Sequence, residues 1–146
     1  MTHRRPQKER GTIAVELAIS LVFLMLLTMA VGDFGRIFYW GITLNGAARA
    51  GVAYGAQNNA KAGDAEGIEQ AALNDAENIG EISVSSDRIC KCTDGTTVSC
   101  TTTCANSNPH EVYVQVTAST TFNTLVDYPG IPSTIPLSRT AIFRIQ

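Results

Sequence analysis

From Thr12 to Gly32 the chain runs through 21 residues with a single ionisable side chain, Glu16, and apolar residues would surround the whole circumference of a helix built from them. At about 1.5 Å per residue such a helix is roughly 31 Å long, the hydrocarbon thickness of a bilayer. A helix lying on a soluble core would show a one-sided stripe instead. The pattern therefore predicts a membrane-spanning helix. Beyond it, Phe34, Ile37, Phe38, Ile42, Leu44, Ala48, Val52 and Tyr54 keep a partly apolar character, while Asn45, Arg49 and Gln57 offer a polar side. One long helix from about Thr12 to about Gln57 is expected. Asp33 and Arg36, three apart, are placed to pair at the outer membrane face. Tyr39 and Trp40 suit an interfacial aromatic belt. Gly51 and Gly55, four apart, either let helices approach closely or soften the helix into a kink.

The pattern changes after Gln57. Asn58 to Gly63 reads as a polar linker. Asp64 is a candidate N-cap for a helix from Ala65 to Ile79, with Glu66 in its first turn, Gly80 as its stop and Ile68, Ala72, Ala76 and Ile79 as a narrow apolar face. Ile82 and Val84 begin a strand. Val112, Val114 and Val116 alternate with Tyr113, Gln115 and Thr117, a half-buried strand running to about Phe122. Thr140 to Gln146 alternates again through Ala141, Phe143 and Ile145. Between these strands Pro129, Pro132 and Pro136 argue against a regular ladder. The apolar residues there (Leu125, Val126, Ile131, Ile135 and Leu137) read as a cover for an open sheet face or as a contact to another subunit. The expected fold class is α+β: residues 1–11 a basic leader, 12–57 the long helix, and 58–146 a small head with one short helix and an antiparallel sheet of three to four strands.

Charge orients this arrangement. Arg4, Arg5, Lys8 and Arg10 against Glu9 give the first ten residues a net +3, and the remainder carries a net −5. A basic flank before the first apolar segment keeps the N-terminus in the cytoplasm and exports the chain beyond that segment. An acidic remainder argues against nucleic acid as a partner. Three fates of residues 1–36 compete. The first is a secretory signal cut after Ala30-Val31-Gly32, releasing a secreted, disulfide-stabilised binding domain. The second is an uncleaved anchor. The third is removal of the leader after Gly11, with the apolar run kept. Glu16 separates them, because neither a secretory apolar region nor a plain anchor needs a carboxylate in lipid. A cut after Gly11 frees the amine of Thr12, a cation four residues and about 6 Å from Glu16 on the same helix face. The acid can neutralise that amine in its own chain or in a neighbouring one, and the pairing favours both charged forms.

Gly11 followed by Thr12-Ile13-Ala14-Val15-Glu16 and a long apolar run resembles the processing site of type IV prepilins. The resemblance implies cleavage between Gly11 and Thr12 by a prepilin peptidase, methylation of the new N-terminus, and a role for Glu16 in guiding assembly. Val15-Glu16-Leu17, Asp33-Phe34-Gly35-Arg36 and Asn45-Gly46-Ala47-Ala48-Arg49-Ala50-Gly51, in that order, further resemble the N-terminal region of TadE-like proteins, minor pseudopilins of the tight-adherence (Flp) type IV pilus systems. The sequence departs from that pattern at Leu17, where Phe or Tyr is frequent, and at the inserted Gly46. The resemblance implies a pilin-type helix and a single-pass protein of the bacterial inner membrane, with its head in the periplasm or carried into a surface pilus. Its partners would be other pilins, minor pilins and the pilus assembly platform. Asp33, Phe34, Gly35, Arg36, Gly51 and Gly55 are the candidate packing positions of that helix.

Export places Cys90, Cys92, Cys100 and Cys104 where disulfides persist. Cys90 and Cys92 share one side of a strand about 7 Å apart, so each is expected to bond across the Asp94-Gly95 turn. A nested arrangement, Cys92 with Cys100 and Cys90 with Cys104, is the expectation. The alternative, a four-cysteine zinc site, lacks the spacing of zinc ribbons. Catalytic motifs are absent: no G-x-S-x-G, no phosphate-binding loop, no H-E-x-x-H and no dinucleotide fingerprint. His3 would leave with the leader, and His110 after Pro109 reads as a loop residue. No cofactor, metal or small-molecule substrate is expected, and an enzyme would need a constellation without a pattern.

Overall fold

A computed structural model of the chain describes residues 7–104 and 109–145, with side chains from Gly11 onward. His3, Arg4, Arg5 and Gln146 lie outside these residues. The first element is one uninterrupted helix, α1, Gln7–Gly55. It ends where its apolar pattern gives way to Gln57 and Asn58. The segment expected as a bare linker holds a single helical turn, α2 (Asn59–Ala62), because the Asn58 side chain accepts the amide of Lys61 and starts it. The next helix, α3 (Ala65–Asp75), begins at Asp64, whose carboxylate accepts the Gly67 amide at 3.0 Å. A 3₁₀ turn, Glu77–Ile79, completes the expected apolar face, and Gly80 stops it with φ 81°. Ile68, Ala72, Ala76 and Ile79 are all buried.

The strands form one antiparallel sheet in the order β2-β1-β3-β4. They are β1 (Ser83–Lys91), β2 (Thr97–Val98), β3 (Glu111–Asn123) and β4 (Thr134–Arg144). The alternation of β3 sends Val114, Val116, Ala118 and Phe122 to the covered face. Both α1 and α3 pack there, so the outer half of α1 supplies core residues to the head. Leu44, Ala47 and Ala48 meet Ala72, Ala76 and Ala118 in one cluster, and Val52 meets Ile68, Val114 and Val116 in a second. The expected kind of fold, a long helix and a small α+β head, is the one observed. One strand is longer than expected: β4 begins at Thr134 and includes Pro136, opposite Thr121. Because β4 is an edge strand, a residue without an N–H is tolerated in it.

Both disulfides join the β1 end to the segment after the Asp94-Gly95 turn, but they cross rather than nest. Cys90 bonds Cys100 and Cys92 bonds Cys104, with Cα atoms 5.1 and 5.7 Å apart. The β1–β2 ladder ends at Val98, and the Thr102 amide bonds back to the Ser99 carbonyl, turning the chain so that Cys104 returns toward Cys92. The crossing has a direct test. The double variant Cys90→Ser/Cys100→Ser is expected to keep one disulfide, show no free thiol, and lose about 2–3 kcal/mol of stability. Cys90→Ser/Cys104→Ser leaves two mismatched cysteines. Equal thiol titres in the two variants would refute the crossed pairing.

The α3 cap makes folding sensitive to acid. The Gly67 amide first, and then the Tyr54 hydroxyl at 2.7 Å, hold the Asp64 carboxyl below its ordinary value. A carboxylate depressed in the fold contributes stability that is present above its unfolded pKa of about 3.9 and lost as pH falls through the folded value. Asp64→Asn keeps a cap but not the charge. The melting-temperature gap between wild type and variant is expected to narrow as pH drops from about 6 to about 2. A gap that stays constant across that range would contradict this origin.

Candidate functional site

Two regions of α1 carry the residues singled out in the sequence, and they differ in surroundings. Between Gly11 and Thr28 every side chain is exposed. Leu17, Ile19, Phe23 and Met25, for example, present apolar surface with no protein over it. The helix is long and apolar enough to cross a membrane. Glu16 lies on this bare surface, one turn beyond Thr12, with no element of the head near it.

The second region begins at Asp33, the first residue after the apolar run. Its carboxylate is buried, at 6% exposure, although both neighbours in sequence are open to solvent. One oxygen accepts the Arg36 guanidinium at 2.8 Å, the pairing expected from their spacing. The other accepts the backbone amide of Leu125 at 2.9 Å and the hydroxyl of Tyr128 at 3.2 Å. Asp33 therefore fastens the β3–β4 connection to the helix. Burial first, and then the bond to Asp33, push the Tyr128 phenol above its ordinary value. Arg36 also lies over the Phe122 ring, 4.9 Å from its centroid. Of the neighbouring motif residues, Phe34 stays 68% exposed and Gly35 has open space where a side chain would begin.

Trp40 corrects the aromatic-belt reading. Its ring is half-buried and meets Phe122 edge-on at 5.3 Å, so it belongs to the core of the head, while Tyr39 points outward. The glycine pair answers the question of close approach or kink. A Cβ on Gly51 would come within 3.1 Å of Val116 and 3.2 Å of the Ile68 carbonyl, and one on Gly55 within 3.0 Å of both Ile68 and Val114. These glycines bring α3 and β3 onto the helix backbone, and α1 runs through them unbroken. The tight contact is with the head of the same chain.

Among the described residues, no group of three His, Cys, Asp or Glu side chains is placed to hold a metal ion. The recess between α1 and β4, about 720 Å³, is lined by Asn45, Arg49, Gln57 and Phe143 among others and gathers no acid or histidine. His110 precedes β3, half-buried.

Residues 11–53 match the family model described as TadE-like protein. This stretch is TadE-like. The matched region starts at Gly11 and ends inside α1, so it contains Glu16, Asp33 and Gly51 but no part of the sheet. Neither the curated proteins nor the solved structures contain a match to the chain. Within the TadE-like stretch, sequence reasoning found the Asp33–Arg36 pair but missed Leu125 and Tyr128, which come from 92 and 95 residues away. The one signal available was a tyrosine in a partly apolar, proline-rich connection.

Proposed function

We propose that this chain is a non-enzymatic minor pilin of a tight-adherence pilus or a related export system. In this reading the TadE-like helix inserts in the bacterial inner membrane with its N-terminus in the cytoplasm and its head in the periplasm. A prepilin peptidase removes residues 1–11. The amine of Thr12 then stands one helical turn from Glu16, and the acid registers the helix against other pilin helices at the assembly platform. The observation that carries the reading is the lone carboxylate on a bare apolar helix surface, at the fixed offset from Gly11, inside the TadE-like stretch. A charge left in lipid without a partner is costly, and an assembling neighbour supplies one.

Intact mass of the protein recovered from membranes is the deciding measurement. A mature chain beginning at Thr12 is expected. A chain beginning at Met1 would make the protein a plain anchor, and one beginning at Asp33 a secreted domain. A second prediction concerns the mechanism. Glu16→Ala is expected to insert in the membrane as wild type does, while its incorporation into pilus assemblies falls by about 10-fold or more, the worth of one charge pair of about 1.4 kcal/mol or above. Normal incorporation with Ala at 16 would remove the proposed role of the acid.

A further inference from the structure

We propose that the β3–β4 connection, residues 124–133, is a second membrane contact that rests in the outer interface of the bilayer spanned by α1. The proposal depends on the membrane-spanning reading of that helix. Its starting point is a level. Thr12 to Gly32 accounts for roughly 31 Å of helix, so the hydrocarbon ends near Asp33. Asp33 is the residue to which the connection is tied, through Leu125 and Tyr128. The tie therefore fixes the loop at the height where lipid meets water.

The surface presented there is apolar. Among the described residues outside α1, the exposed large hydrophobic side chains are Leu125, Ile131, Ile142 and Phe143, and the first two lie in this connection, 65% and 53% exposed. Phe34, 68% exposed, adjoins them on the helix. Between helix and loop opens a crevice of about 250 Å³ whose lining includes Ala30, Ile37, Ile131 and Ile135. It is continuous with the lipid-facing surface, since Ala30 belongs to the spanning run. Ile142 and Phe143, by contrast, lie beside Arg49 and Val52, more than four helical turns further from the bilayer.

Part of the loop's backbone is paired within the protein. Irregular chain is excluded from hydrocarbon because its amides go unpaired. Here Pro129 and Pro132 have no N–H. The amides of Thr124, Leu125 and Ile131 are bonded to Ser133, Asp33 and Tyr128 respectively. Tyr128, with its hydroxyl held by Asp33, is a residue type favoured at the membrane–water boundary, and Asp127 remains exposed to stay in water. Such a segment suits the headgroup layer with Leu125 and Ile131 directed into the acyl boundary.

The test uses the full chain in vesicles of phosphatidylethanolamine and phosphatidylglycerol. Nitroxide labels are attached to single cysteines at Leu125→Cys and Ile131→Cys, both exposed sites, with Leu21→Cys as the control in the span and Ser85→Cys as the control on the head. Collision with oxygen, which partitions into lipid, is compared with collision with a water-soluble nickel chelate. The expected oxygen-to-nickel ratio at 125 and 131 is several-fold above that at 85 and approaches that at 21. A ratio at 125 and 131 equal to that at 85, or a label shielded from both quenchers by a second copy of the chain, overturns the proposal. A watery Leu21 label would defeat the membrane-spanning reading itself, and the proposal with it.

Discussion

Valine at Gly51 or Gly55 is expected to lower the melting temperature of the full chain by roughly 10–20 °C, the consequence of about 2–3 kcal/mol of overpacking in a head of this size. The reason is geometric. At both positions even a methyl group would press on Ile68 and on a valine of β3, at 3.0 to 3.3 Å, and at Gly51 one of the atoms met is a backbone carbonyl that cannot swing aside. A branched side chain has to push α3 or the sheet outward, opening the cluster of Val52, Ile68, Val114 and Val116. Gly35→Ala supplies the contrast. Nothing lies within 4 Å of its added carbon, and alanine is the better helix former by about 1 kcal/mol. That variant should melt at or above the wild-type temperature. Circular dichroism of the three proteins in one detergent checks the prediction, and losses of similar size at positions 35, 51 and 55 would mean that the glycines act through helix flexibility instead.

Asp33→Ala is expected to release the β3–β4 connection while leaving the sheet intact. The substitution removes the acceptor of a backbone amide, of a phenol and of a guanidinium at once. Stranding a part-buried donor costs about 1–3 kcal/mol, and the three do not add fully, so a total of about 2–4 kcal/mol is expected. The cost falls on local opening of residues 124–133. Hydrogen exchange at the Leu125 amide should accelerate by about 10²-fold, since each 1.4 kcal/mol is a factor of ten. Amides of β3 at Val114 and Val116 should change far less. Asp33→Asn keeps one carbonyl oxygen but loses the Arg36 ion pair, and should fall between the two. Unaltered exchange at Leu125 in the alanine variant would show that the loop is held by something other than this carboxylate.

The sequence disclosed elements whose cause is periodic or local. The α3 cap at Asp64, its apolar face from Ile68 to Ile79, the alternation of β3 and the i, i+3 pair of Asp33 and Arg36 each depend on residues a few positions apart, and each is found in the fold. What escaped was set by distant parts of the chain. Pro136 looked incompatible with a strand because nothing local says that β4 will be the sheet's edge. Trp40 looked interfacial because its proximity to the bilayer is visible in sequence and its contact with Phe122 is not. The crossing of the disulfides is caused by a turn at Ser99–Thr102 in a threonine-rich segment that carries neither Gly nor Pro. At the candidate site, Glu16 and its offset from Gly11 could be read directly. The long-range fastening of Asp33 could not, since one acid, one tyrosine and one main-chain amide leave no repeating mark.

Because Leu44, Ala47, Ala48 and Val52 are at once rungs of the long helix and part of the head's interior, there is no slack joint between stalk and globule. A pull applied near Thr12 would travel along the helix rod and arrive as shear across the glycine seam and the Asp33 clasp together. Such a linkage behaves like a rivet rather than a tether, and it keeps the head's orientation under strain.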